Sequence, residues 1–110
     1  MRRGDIVTVA AGGGYAGKPR PAVIIQSDDF STTASVTLCL VTADEVDAPL
    51  FRLELAPSAQ TALKARSWIM ADKIMTVRRE KVGRRIGSLP AQDMVRLERA
   101  LLVFLGLAGS

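Results

Sequence analysis

The chain has no histidine and a single cysteine, Cys39, among its 110 residues. Those two shortages exclude a good deal of chemistry. A zinc site of the Cys/His kind needs three or four such ligands, and Ser-His-Asp and Cys-His catalysis both need an imidazole. One cysteine also forbids an intramolecular disulfide, which suits a reducing compartment. Aromatic residues are scarce, with one Trp, one Tyr and three Phe, too few for a platform on which successive bases stack. Long apolar runs are missing as well. After Met1-Arg2-Arg3-Gly4-Asp5 only Ile6 to Ala11 is mostly apolar, short of a secretory core, and nothing approaches the roughly 18 residues of a membrane span. The expectation is a cytoplasmic protein of one domain, residues 1–110. Lys and Arg total 15 against 11 Asp and Glu, a net charge of +4.

What is present changes period near residue 88. Asp5–Val9, Pro21–Gln26, Ser35–Val41 and Leu50–Leu55 are short β-branched or alternating runs bounded by Gly, Pro, Asp and Ser, and read as strands. Pro21–Gln26 is apolar at consecutive positions, as a strand buried on both faces would be. Leu50–Leu55 sets Phe51, Leu53 and Leu55 against Arg52 and Glu54. Ser67–Val77 reads as two strand pieces broken at Asp72-Lys73. Beyond residue 88 the spacing turns helical. Ser88 is placed as N-cap with Pro90 in the first turn, Met94, Leu97, Leu101 and Phe104 recur on one stripe, and Gly106 is the stop. Ala100–Leu105 is apolar nearly all round, which asks for a second covering surface such as a subunit interface. The expected architecture is mainly β: five or six short strands in a small curled sheet, closed by a C-terminal helix.

Several residues are candidates for chemistry, each with a plainer account beside it. Arg20 stands between Pro19 and Pro21, which fix the backbone and therefore the direction of the guanidinium. It is either a surface cation or a pre-aimed phosphate clamp. Thr42 ends the third strand, where it either satisfies a loop amide or meets a substrate. Asp72 interrupts an apolar strand, as an ion-pair partner of Lys73 or a nearby Arg, or as a carboxylate that positions an Arg or accepts a proton. Ala10–Lys18 holds four glycines and is a flexible loop or a mobile flap, but not a P-loop, since no helix-opening Gly-Lys-Ser/Thr follows. Lys73, Arg78, Arg79, Lys81, Arg84 and Arg85 place six of the fifteen cations within thirteen residues. An anionic polymer is the partner that this charge implies.

Gly4-Asp5-Ile6-Val7, then Gly17-Lys18-Pro19-Arg20-Pro21-Ala22-Val23-Ile24, then Leu40-Val41-Thr42, form an ordered set. Ser67-Trp68-Ile69-Met70-Ala71-Asp72-Lys73-Ile74 and Arg85-Ile86-Gly87-Ser88-Leu89 before a helix complete it. The set resembles the MazF/PemK (Kid) family of toxin endoribonucleases from bacterial type II toxin–antitoxin pairs, over nearly the whole chain. The resemblance implies an SH3-like small β-barrel of the CcdB/Kid/MazF type, a homodimer, and metal-independent cleavage of single-stranded RNA, often mRNA. The products implied are 2',3'-cyclic phosphate and 5'-OH ends, with no cofactor. It further implies that Arg20 and Thr42 are the catalytic pair, with Asp72 at the position given acid/base work in the Kid branch. Tyr15, Lys18, Pro21, Lys73, Arg78 and Arg79 are the implied RNA contacts, although Lys73 stands where many members carry Gln. The implied partner is an acidic antitoxin whose C-terminal segment wraps the toxin, with DNA met only through that antitoxin at its operator. The alternative is a CcdB-like toxin, which uses the same barrel to bind DNA gyrase and cleaves nothing. The missing terminal aromatic anchor and the Arg20–Thr42 pair rank that reading second.

Overall fold

A computed structural model describes residues 1–10 and 19–108. Its elements are β1 (Asp5–Ala10), β2 (Pro19–Ile24), β3 (Ser35–Thr42), β4 (Arg52–Leu55), β5 (Ser67–Arg78), β6 (Val82–Ser88) and the helix α1 (Ala91–Phe104). The strands form one six-stranded sheet in the order β4-β5-β3-β2-β1-β6, and every pairing is antiparallel. The sheet curls so far that the segment leaving β4 at one edge reaches β6 at the other. There the Ser88 N–H donates to the Gln60 carbonyl at 3.0 Å and the Gln60 amide to the Ser88 hydroxyl at 3.3 Å. The seam is therefore spanned by the 56–66 connection, with no strand ladder joining β4 to β6 among the described residues. Gly87 is glycine for this reason, since a Cβ there would overlap the backbone carbonyls of Gln60 and Thr61.

Both faces of the sheet carry a buried apolar cluster, because adjacent β-branched residues point to opposite sides. Ile6, Val23, Cys39, Ile69, Leu53 and Leu55 face α1 and pack with its buried Leu97 and Ala100. Val7, Val9, Ala22, Ile24, Val36 and Leu38 face the other way, into a second cluster enclosed by the curl. Continuous apolar runs in β2 and β3 are what this two-sided burial requires. Thus the expectation of a mainly β fold with a C-terminal helix holds.

Three local readings need correction. The helix is capped at Pro90, without a side-chain cap, while Ser88 remains the last residue of β6. Pairing of Asp5 with Ser88 and the Leu89 N–H on the Gly4 carbonyl at 2.8 Å extend the sheet past the place where a cap would sit. Next, β5 is one continuous strand of 12 residues rather than two pieces. The interruption lies in its ladder: Cys39 pairs with Ile74 and Val41 with Ile69, so Leu40 alone opposes Met70 to Lys73. The register irregularity thus falls across Met70–Lys73, and extra residues of this kind locally disrupt a ladder. Last, Arg84 and Arg85 of the cationic run belong to a strand, β6. It is an edge strand, and edges carry charge to block further pairing.

Candidate functional site

The same β2–β3 ladder that builds the second core also opens the site. It runs from Ile24↔Leu38 to Ala22↔Leu40 and ends there, although both strands continue. Two residues further along each stand Arg20 and Thr42, which the register of that ladder sets opposite one another. Proline cannot donate into a ladder, so Pro19 and Pro21 suit a stretch of strand left open on one side. β2 stays paired with β1 through Arg20↔Val9. Arg20 is thus carried on a strand anchored on one side and open on the other.

Both residues line a cleft of about 500 Å³ that crosses β1, β2, β3, β5 and β4. Val9, Leu40, Met70, Met75 and Val46 supply an apolar lining, interrupted by the cations Arg20, Arg52 and Lys73 and by one acid, Asp44. The floor continues the second core, so the cleft is built on a packed face rather than on loops.

Within it, Thr42 Oγ1 accepts the Asp44 backbone N–H at 3.0 Å. A hydroxyl carries two acceptor sites and one donor, so this bond fixes the oxygen and leaves its proton to be given elsewhere. The plain and the functional accounts of Thr42 are therefore compatible. Asp72 is held by Arg52 through Nε–Oδ1 at 2.7 Å and Nη2–Oδ2 at 2.9 Å. That paired fork holds the Asp72 carboxyl below the usual carboxylate range, its hydrogen bonds outweighing partial burial. The same bonds raise the Arg52 guanidinium. An anion stabilised in this way is a poor proton acceptor and a firm orienting group. Beyond Arg52 lies a shallower cleft carrying Glu45, Asp47 and Glu54.

Of the residues singled out from sequence, Arg20, Thr42 and Lys73 meet in the cleft, with Asp72 behind Arg52. Pro21 lies beside Arg20, opposite Thr8 of β1. Arg78 and Arg79 stand elsewhere, at the far end of β5. Arg79 spends its guanidinium on the carbonyls of Thr33 and Ser31 at 2.7–2.9 Å, latching the β2–β3 connection. Arg78 is exposed, with Glu80 at 3.9 Å. Arg85 pairs with Asp5 at 3.0 Å, so the run of cations does not act as one patch. Tyr15 and Lys18 lie outside the described residues. Arg52 and Asp44 were missed. In the sequence Arg52 is an ordinary outward residue of an alternating strand, and only the β4–β5 pairing places it against Asp72. Among the described residues no cluster of three or more His, Cys, Asp or Glu could hold a metal. No helix among them is long and apolar enough to cross a membrane.

The molecule is thus a small antiparallel sheet with one C-terminal helix and a cleft that carries Arg20, Arg52 and Lys73. Residues 2–105 match the family described as PemK-like, MazF-like toxin of type II toxin-antitoxin system, and the chain belongs to that family. It is 54% identical over 109 residues, covering 99% of this chain and 100% of the relative, to a "Probable endoribonuclease MazF" of Mycolicibacterium smegmatis. To "Endoribonuclease MazF9" of Mycobacterium tuberculosis it is 30% identical over 116 residues, 97% of this chain and 98% of that one. Among solved structures, an endoribonuclease in complex with its cognate antitoxin from a mycobacterial species superposes with a TM-score of 0.81 at 22% identity, covering 100% and 99% of the two chains. A MazE–MazF crystal structure from Deinococcus radiodurans gives 0.78 at 19% identity, covering 98% of each chain. These two likenesses establish the fold.

Proposed function

We propose that this MazF-family toxin is an endoribonuclease that cuts single-stranded RNA, mRNA in the cell, where Arg20 and Thr42 face each other. The observation that carries the reading is the parting of β2 and β3 just before these two residues. The nucleophile is the RNA's own 2'-OH, which attacks the adjacent phosphorus. The P–O5' bond breaks, the 2'-OH gives up its proton and the departing 5'-oxygen takes one up. The products are a 2',3'-cyclic phosphate and a 5'-OH. No bound nucleophile is required, and neither is a metal, provided the extra negative charge on phosphorus is stabilised. Arg20 supplies that stabilisation. Its guanidinium is a poor proton donor at neutral pH, so its role is electrostatic. Thr42, its oxygen fixed by the Asp44 N–H, donates a hydrogen bond through its hydroxyl to a phosphate oxygen and keeps its proton. Lys73 adds charge along the strand path, and Asp72 serves by orienting Arg52.

Growth inhibition then follows from loss of translatable message. Cytoplasmic action, a homodimer and an acidic antitoxin whose C-terminal segment wraps the toxin belong to the same reading. The outer side of the α1 end favours a dimer, since Leu102, Val103, Leu105 and Leu107 remain 45–67% exposed there.

The test is incubation of the protein and its Arg20→Ala variant with a long unstructured RNA in EDTA, with the cut ends mapped. The wild type is expected to give site-specific cuts with 5'-OH ends, and Arg20→Ala to lose about 10²–10³-fold in rate, as when a preorganised donor is removed. DNA, lacking the 2'-OH, survives. If neither protein cuts and both still arrest growth, the gyrase-binding alternative takes over.

A further inference from the structure

We infer that Arg52, held by Asp72, reads a base in the cleft and selects guanine through its O6 and N7 edge. This rests on the RNA-cutting function proposed above.

A guanidinium carries two useful edges, one formed by Nε and Nη2 and the other by the two Nη groups. Asp72 fills the first, at 2.7 and 2.9 Å. The side chains of Arg52 and Asp72 are only 12% and 18% exposed, so the plane of the fork is fixed. The Nη1 group has no partner among the described residues, nor is any buried side-chain polar atom left without one. The second edge therefore reaches the surface, where Arg52 stands between this cleft and its neighbour and lines both.

Charge decides what that edge takes. A phosphate is best held by net positive charge, and Asp72 offsets the charge of Arg52. Of the acids that border its other side, Glu45 and Glu54 are paired with Arg66, and Asp47 adds its charge to that of Asp72. A neutral group with two adjacent acceptors loses nothing to this field and gains from a fixed direction. Met70, which pairs with Arg52 in register, and Val46 give the faces of a flat ring an apolar surface. Guanine presents O6 and N7 side by side. Adenine replaces O6 with an amino donor, and uracil offers O4 without N7. Cytosine has an adjacent acceptor pair only on its pairing edge.

The experiment maps wild-type cuts in a randomised single-stranded RNA pool and then measures kcat/KM on single sequences. Guanine is expected at one fixed position, preferred about 10- to 100-fold over other bases, as for a bidentate Arg contact. Substituting 7-deazaguanine there removes N7 alone and is expected to cost the wild type about 5- to 10-fold. The same change is expected to cost Arg52→Gln under about twofold. Asp72→Asn is expected to flatten the preference while leaving the shape of the pH–rate profile unchanged. A wild type that cuts RNA but ignores 7-deazaguanine, or that requires cytosine, overturns the assignment and spares the function. Loss of the acidic limb of the profile in Asp72→Asn overturns the positioning role. A wild type that cuts no RNA overturns the function itself, and this inference with it.

Discussion

Ile6 and Val7 are neighbours in β1 and both fully buried, yet they serve two different halves of the molecule. On the Ile6 side the sheet is covered by Leu97 and Ala100 of α1 together with Leu63 and Leu89. On the Val7 side the curl encloses the lower half only, and the apolar surface runs on through Val9 and Leu40 into an open cleft. The chemistry of the two surfaces is alike up to the point where β2 and β3 separate. What distinguishes them among the described residues is that one surface is covered by a helix and the other carries the cations Arg20, Arg52 and Lys73 in a cleft. Substitutions on the closed face are therefore expected to register as stability, and those on the open face as function.

The largest test of that division is Leu97→Ala. Leu97 is fully buried between α1 and the sheet, and its truncation is expected to cost about 2–5 kcal/mol in urea unfolding. Cys39 offers an independent readout. Burial, and secondarily the Asp72 charge, push its thiol up to about 12, so a thiol reagent reacts only when the core opens. The logarithm of the labelling rate should rise in Leu97→Ala in proportion to the lost stability. Equal labelling rates in the two proteins would mean that Cys39 is reached through local opening, and the closed face would not be one unit.

A smaller effect tests the boundary between the faces, where Asp72 lies. The folded state depresses its carboxyl through the Arg52 hydrogen bonds, so the unfolded chain takes up the proton first as pH falls. The resulting stability is complete above the ordinary Asp value and is lost as pH drops through it toward the lower folded value. Asp72→Asn is expected to cost about 1–3 kcal/mol at neutral pH. Its urea midpoint should approach that of the wild type below pH ~4. Curves that stay parallel down to pH 3 would mean that the pair contributes no proton-linked stability.

The closed face was the easier one to read from sequence. Its residues recur with period two in the strands and with three- and four-residue steps in α1, and burial enforces both. Arg20 and Thr42 stood out singly, by a proline pair and a strand end. That they oppose each other depends on the β2–β3 register, which no local pattern encodes. Asp72 was noticed because it interrupts an apolar run, whereas its partner Arg52 lies 20 residues away on another strand and interrupts nothing. β6 was hidden by its own arginines, an edge strand having little need of an apolar outer row.

The smallest expected effect sharpens the comparison from one more side. Arg66 and Glu54 form a fork as well made as that of Arg52 and Asp72, at 2.6 and 2.9 Å. The Glu54 carboxyl is likewise lowered, first by its hydrogen bonds from Arg66. The difference is solvent, since these side chains are 53% and 48% exposed. Water and ions screen such a pair, and ordering two long side chains consumes much of the gain. Glu54→Gln should therefore move the unfolding midpoint less than Asp72→Asn, and its effect should vanish in 1 M salt, where screening acts within about 3 Å. Arg66→Ala removes something more, because the guanidinium also lies 4.9 Å above the Trp68 ring. A loss that persists at high salt in Arg66→Ala but not in Glu54→Gln would assign the remainder to the cover that Arg66 gives Trp68 rather than to charge. Equal losses in both, surviving salt, would mean that a surface fork can match a sheltered one, and shelter would no longer be what separates the two pairs.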